Sequence, residues 1–173
     1  MKYFLTALSL LFVAAGSTVQ SASPEPIRAK HGMVVAADTL AARVGVEILR
    51  SGGNAVDAAV AVGFALAVTY PSAGNIGGGG FMVIRFADGR SVTIDSREKA
   101  PAAAANTMYL DSSGNVVSKR STYGHLSAGV PGSVDGYLLA LEKYGTMKRS
   151  DIVRPAIELA DQGIPLHHRL ARW

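Results

Sequence analysis

Residues 75–101 read NIGGGGFMVIRFADGRSVTIDSREKAP. Two runs, 81–86 and 91–95, flank Asp88-Gly89, and in the second apolar Val92 and Ile94 alternate with polar Ser91, Thr93 and Asp95. The pattern predicts two strands joined by a tight turn. Strands joined so closely must run antiparallel. Four glycines, Gly77 to Gly80, lead into the first strand. A phosphate-cradling glycine loop needs a following helix whose amides aim at the anion, and a Gly-Lys-Ser or Gly-Lys-Thr is also missing here. The expectation is instead a tight passage where backbone runs close to backbone or to a ligand.

Upstream of this stretch, Met33 to Ala37 is long enough for a buried strand. A helix should follow, capped by Asp38 or Thr39, with Leu40, Val44 and Ile48 on one face and Gly52 or Gly53 in the left-handed closing position. Asn54 is placed to cap a second helix, with Asp57 near its positive end. From Ala55 to Val68 that helix is apolar all round, so it must be buried on most sides, and Pro71 stops it.

Downstream, 102–110 reads as helical and 111–115 as a loop. A Gly-Pro turn over 129–132 precedes a helix marked by Val134, Leu138 and Leu141 and stopped at Gly145. Ser150 or Asp151 should cap the last full helix, with Ile152, Ala156, Leu159 and Ala160 on its apolar side. Strand, two helices, hairpin, then helices is an α+β layout, because strands and helices segregate.

The N-terminus carries one positive charge, an apolar run of about 13 residues from Phe4, and small residues after it, the pattern of a secretory signal over 1–23. The run falls short of the roughly 20 residues that span a bilayer, so no stable membrane anchor is expected and the destination is periplasmic or secreted. The segment from Leu166 to Trp173 begins another amphipathic element without a cap, which reads as an interruption.

Of 173 residues, 49% are hydrophobic, enough to build a core, and none is cysteine. Disulfides, thiolate metal sites and thiol nucleophiles are thereby excluded. Seventeen Lys and Arg against 13 Asp and Glu give a formal charge of +4, but they form no dense cluster. No nucleic-acid partner is implied. His31, His125, His167 and His168 lack metal-ligand spacing with carboxylates, and no Gly-x-Ser-x-Gly elbow is present. One site candidate remains. Arg97, within Asp95-Ser96-Arg97-Glu98-Lys99, could present a planar fork to a carboxylate, or simply belong to an exposed strand end whose ion pairs count for little.

Longer motifs go further. Gly52 to Ala61 (GGNAVDAAVA), Ala73 to Met82 (AGNIGGGGFM) and Asp95 to Pro101 (DSREKAP), together with His31-Gly32-Met33-Val34 and Gly129-Val130-Pro131-Gly132, resemble the γ-glutamyltranspeptidase (glutathione hydrolase) family in order and spacing. The resemblance, strongest to the bacterial periplasmic branch, runs from about Arg28 onward and identifies residues 24–173 as the N-terminal part of the large subunit, an incomplete domain. It implies an N-terminal-nucleophile hydrolase, in which an αββα sandwich precursor cuts itself into large and small subunits that stay together. The cut frees a threonine whose α-amino group serves as its base. That threonine, expected beyond Trp173, would attack the γ-glutamyl amide of glutathione and related compounds, and water, amino acids or dipeptides would accept the glutamyl group. No metal or organic cofactor is implied.

By the same resemblance Arg97 grips the α-carboxylate of the glutamyl group, and Ser96 stands where an aromatic residue is often found. A glutaryl or cephalosporin acylase of the same family, which could use this arginine on a different terminal carboxylate, is the alternative enzyme. A non-catalytic remnant or binding module is the alternative outside enzymes.

Overall fold

The computed structural model describes residues 25–166, 168 and 170–172; the expected signal segment, His167 and Trp173 lie outside them. The chain divides after His31. Residues 25–31 are exposed and carry no helix or strand. The second unit holds helices α1 (Thr39–Arg50) and α2 (Ala55–Thr69), strands β1 (Phe81–Arg85) and β2 (Ser91–Asp95), and helices α3 (Ser133–Tyr144) and α4 (Arg149–Gln162). Short 3₁₀ turns sit at His125–Ser127 and Leu170–Arg172. Strands and helices segregate as an α+β arrangement requires.

Helix α2 is the hub. It packs against α1, α3 and α4, and its Val60, Ala61 and Ala65 are fully buried. The side chain of Asn54 accepts hydrogen bonds from the Val56 and Asp57 amides at 2.8 and 3.0 Å, and Asp57 returns one from the Asn54 amide at 2.8 Å, a reciprocal cap that satisfies otherwise orphaned donors. Asp57 also reaches out of its helix. Its carboxylate accepts the Thr146 hydroxyl at 2.6 Å, the Thr146 amide at 3.0 Å and the Met147 amide at 3.2 Å. Burial pushes the carboxyl upward, but the Thr146 hydroxyl and the three amides outweigh it and hold it below the ordinary carboxylate range.

At the other end of α2, the buried hydroxyl of Thr69 has no hydrogen-bond partner among the described residues. A buried donor without a partner is a standing cost. Thr69→Val should therefore raise stability, by about 1 kcal/mol in urea unfolding, where an exposed or partnered threonine would show no gain.

The hairpin pairs Phe81 with Asp95 and Arg85 with Ser91. Gly89, at φ 89°, makes its turn in the left-handed region that glycine occupies at no steric cost. Met82, Ile84 and Ile94 face the core built on α2 and α3, whereas Phe81 and Val83 face outward and are exposed.

Several expectations are met and several are corrected. Asp38 caps α1, Gly52 takes the left-handed position after it, and β2 spans the residues its alternation marks. The buried stripe of α1 is Ala41, Gly45 and Ile48, with Leu40 and Val44 only half-buried. The cause is close approach: a Cβ on Gly45 would lie 2.6 Å from Val62 and 2.8 Å from Val34. In α3 the buried positions are likewise small, Ser133, Gly136 and Ala140.

Met33 to Ala37 is not a strand. Val34 and Ala36 pack inward while Met33 and Val35 stay exposed, so the period of two is there, but no segment among the described residues pairs with the backbone. Residues 102–110 are not a helix either. They form successive tight turns, through bonds such as Ala104 N–H to Pro101 O and Leu110 N–H to Thr107 O, and Leu110 then bridges to Val116. Alanine propensity is a weak force, and no apolar period lets a helix here bury a face. Helix α4 begins at Arg149 with Lys148 before it and no side-chain cap, so neither Ser150 nor Asp151 caps it, and Ala160 is exposed.

Candidate functional site

Three segments distant in sequence meet around Arg97. The hairpin ladder runs one pair beyond its strands: the Ser96 amide donates to Gly80 O at 3.0 Å, and the Ser96 hydroxyl to the same oxygen at 3.0 Å. Gly79 lies directly on the following residues, since a Cβ there would fall 2.6 Å from Ser96 O, 2.7 Å from Glu98 N and 2.8 Å from the Arg97 Cα. The glycine run is thus the close backbone passage expected of it. Glycine is needed at Gly79 for space, not for a special φ.

The Gly129–Gly132 turn closes the third side. Lys99 and Val130 exchange backbone hydrogen bonds of 3.2 and 2.8 Å, and the Gly132 and Ser133 amides donate to Gly78 O at 2.8 and 2.9 Å. Asn75 ties the run to α3, its side-chain oxygen accepting the Gly78 amide at 2.7 Å and the Ser133 hydroxyl at 2.9 Å. Side chains at Gly132 and Gly136 would collide with Ser96, so α3 also presses on the residue before Arg97. Beside Ser96 a cavity of about 70 Å³ is lined by Phe81, Met82, Ile94, Ser96 and Tyr137 among others.

On this frame Arg97 points outward. Its amide donates to Asp95 Oδ1 at 3.0 Å and its Nε to Glu98 Oε2 at 3.3 Å, and its side chain is 63% exposed. The guanidinium carbon lies 5.8 Å from the centre of the Phe81 ring. Its two terminal nitrogens have no protein partner among the described residues, which leaves the pair of parallel donors that suits a carboxylate. Among the described histidines, His125 and His168 are exposed and have no contact with Arg97, and His31 belongs to the other unit.

The charged cluster around Arg97 and the Ala73–Met82 motif, which holds Asn75 and Phe81, are legible in the sequence, but the bond from Ser133 to Asn75 and the place of the Phe81 ring beside Arg97 are not. The Gly-Pro turn ahead of α3 was the one available signal for Ser133, and nothing local marks Phe81 as other than a strand residue.

The chain is similar to known proteins. A glutathione hydrolase proenzyme from Pseudomonas sp. (strain A14) is 60% identical over 148 residues, covering 86% of this chain and 26% of that protein. A crystal structure of Helicobacter pylori gamma-glutamyltranspeptidase superposes with a TM-score of 0.79 at 53% identity, covering 85% of this chain and 42% of that one. An acylase ACY 1 proenzyme from Pseudomonas sp. (strain SE83) is more distant, 41% identical over 145 residues, which cover 80% of this chain and 26% of the acylase. The chain therefore spans about a quarter of the length of the curated relatives it matches. The family model described as Gamma-glutamyltranspeptidase matches residues 41–173, which contain the hub helix, the hairpin, the glycine run and Arg97, and the chain belongs to that family.

Proposed function

We propose that this chain is the N-terminal part of a precursor that hydrolyses and transfers γ-glutamyl groups, with glutathione and related γ-glutamyl compounds as substrates. The 60% identity to a glutathione hydrolase proenzyme carries the reading, well above the 41% to an acylase. In it, Arg97 holds the α-carboxylate of the glutamyl group by its free terminal nitrogens. A threonine beyond residue 173, released by self-cleavage, attacks the γ-amide, using its own α-amino group as base. The tetrahedral oxyanion needs pre-aimed donors, which also belong to the later part of the precursor. Water, an amino acid or a dipeptide then releases the glutamyl group.

The outward face of the hairpin, with Phe81 and Val83 exposed, suits the inner surface of an αββα sandwich whose second sheet comes from the rest of the precursor. Residues 1–23 serve as a secretory signal, which places the enzyme in the periplasm or outside the cell. The test is to express the full-length gene and assay the product with γ-glutamyl-p-nitroanilide and a glutaryl anilide. We expect two chains on a denaturing gel, the smaller starting with threonine, and turnover of the γ-glutamyl substrate. Preference for the glutaryl substrate would establish the acylase reading, and an uncut, inactive product would establish the remnant.

A further inference from the structure

The structure assigns Phe81 the task of setting the plane of the Arg97 guanidinium, an inference that rests on Arg97 being the carboxylate-binding residue. Phe81 opens β1 opposite Asp95, and the amide of Arg97 is bonded to that same Asp95. Gly79 packs on the Arg97 Cα, so the base of the arginine side chain has a fixed origin. From there the side chain makes one ion pair and one ring contact among the described residues. Glu98 accepts from Nε at 3.3 Å, and the Phe81 ring lies 5.8 Å from the guanidinium carbon, inside the range of a cation–π contact.

The two contacts divide the work. The bond at Nε leaves both terminal nitrogens available, while the ring restricts the rotation that would swing them away. An arginine held only by one exposed ion pair would lose rotamer freedom on gripping a ligand, and a pre-set guanidinium loses less. Phe81 lies outside the core of the described residues, 63% exposed, whereas its neighbours Met82 and Ile84 fill the inward face.

The test uses the full-length precursor and γ-glutamyl-p-nitroanilide. Phe81→Leu keeps an apolar side chain without a ring and should raise KM on the order of tenfold with little change in kcat. Phe81→Tyr keeps the ring and should restore KM to near the wild-type value. In an Arg97→Ala background, Phe81→Leu should cause no further loss of kcat/KM, because its partner is gone. If Phe81→Leu gives no soluble protein, Phe81→Met is read in the same way. An unchanged KM in the ringless variant, an equal loss with tyrosine, or losses that simply add to those of Arg97→Ala would overturn the inference. Those outcomes leave Arg97 in place as the carboxylate reader, whereas Arg97→Ala with wild-type kinetics would remove that reading first.

Discussion

Arg97→Ala in the full-length precursor should lower kcat/KM for γ-glutamyl-p-nitroanilide by about a hundredfold or more, the equivalent of roughly 3 kcal/mol of lost transition-state binding. The size follows from what is removed: two parallel charge-assisted donors facing a carboxylate, in a site that the substrate itself helps to dry. Arg97→Lys keeps the charge but not the fork, and should recover only a small part of the activity. The fold should tolerate both changes, because the side chain is 63% exposed and its ion pair with Glu98 is an exposed one. A donor that lacks the α-carboxylate gives the internal control. Its slow turnover should be the same in wild type and Arg97→Ala, and a full loss on that substrate too would mean that the substitution had damaged the fold.

Asp57→Ala is expected to be the most damaging single change to stability among the described residues. It strands the amides of Asn54, Thr146 and Met147 and the Thr146 hydroxyl around a side chain that is fully buried in the native state. Buried donors left without an acceptor cost about 1–3 kcal/mol each before relaxation, so a loss of about 3 kcal/mol or more is expected, visible as a lower urea midpoint and reduced soluble yield. Asp57→Asn should lose less, since one oxygen still accepts. The sign of the pH dependence follows from the lowered pKa of the folded carboxyl. Its stabilisation is present above the ordinary aspartate value and is lost as pH falls through the lowered one, so the gap between wild type and Asp57→Asn should close below about pH 4. A gap that stays constant down to pH 2 would show that the carboxylate charge is not what holds the clamp.

Asp57 also shows where sequence reading stops. Its place in the first turn of α2 is legible from Asn54 and the apolar run that follows, because a cap is a contact over three residues. Its bonds to Thr146 and Met147, about 90 positions away, depend on how α3 and α4 return to α2. Arg97 is a similar case. A charged cluster at a strand end was visible, and only the family resemblance raised it above an exposed ion pair. That Gly79 and Gly132 press on its backbone, with Asn75 tying their segments together, comes from three segments meeting, which no local pattern encodes.

Helix α1 and residues 33–37 and 102–110 show the same limit in the fold itself. Leu40, Val44 and Ile48 have the right spacing, yet the helix turns Ala41 and Gly45 inward, since two helices gain more contact by closing over small residues than by standing off on large ones. Residues 33–37 have the alternation of a strand but no partner among the described residues, and 102–110 have the alanines of a helix but no face to bury. What the amino-acid order determined alone was what short-range chemistry decides: the caps at Asp38 and Asn54, the Gly52 and Gly89 turns, the alternation of β2 and the all-round apolar character of α2. What only the tertiary structure decided was which small residues form the helix contacts, which strand-like run finds no partner and how Arg97 is presented. Those outcomes depend on close packing and hydrogen bonding between segments far apart in the chain, and such contacts exist only after the segments have met.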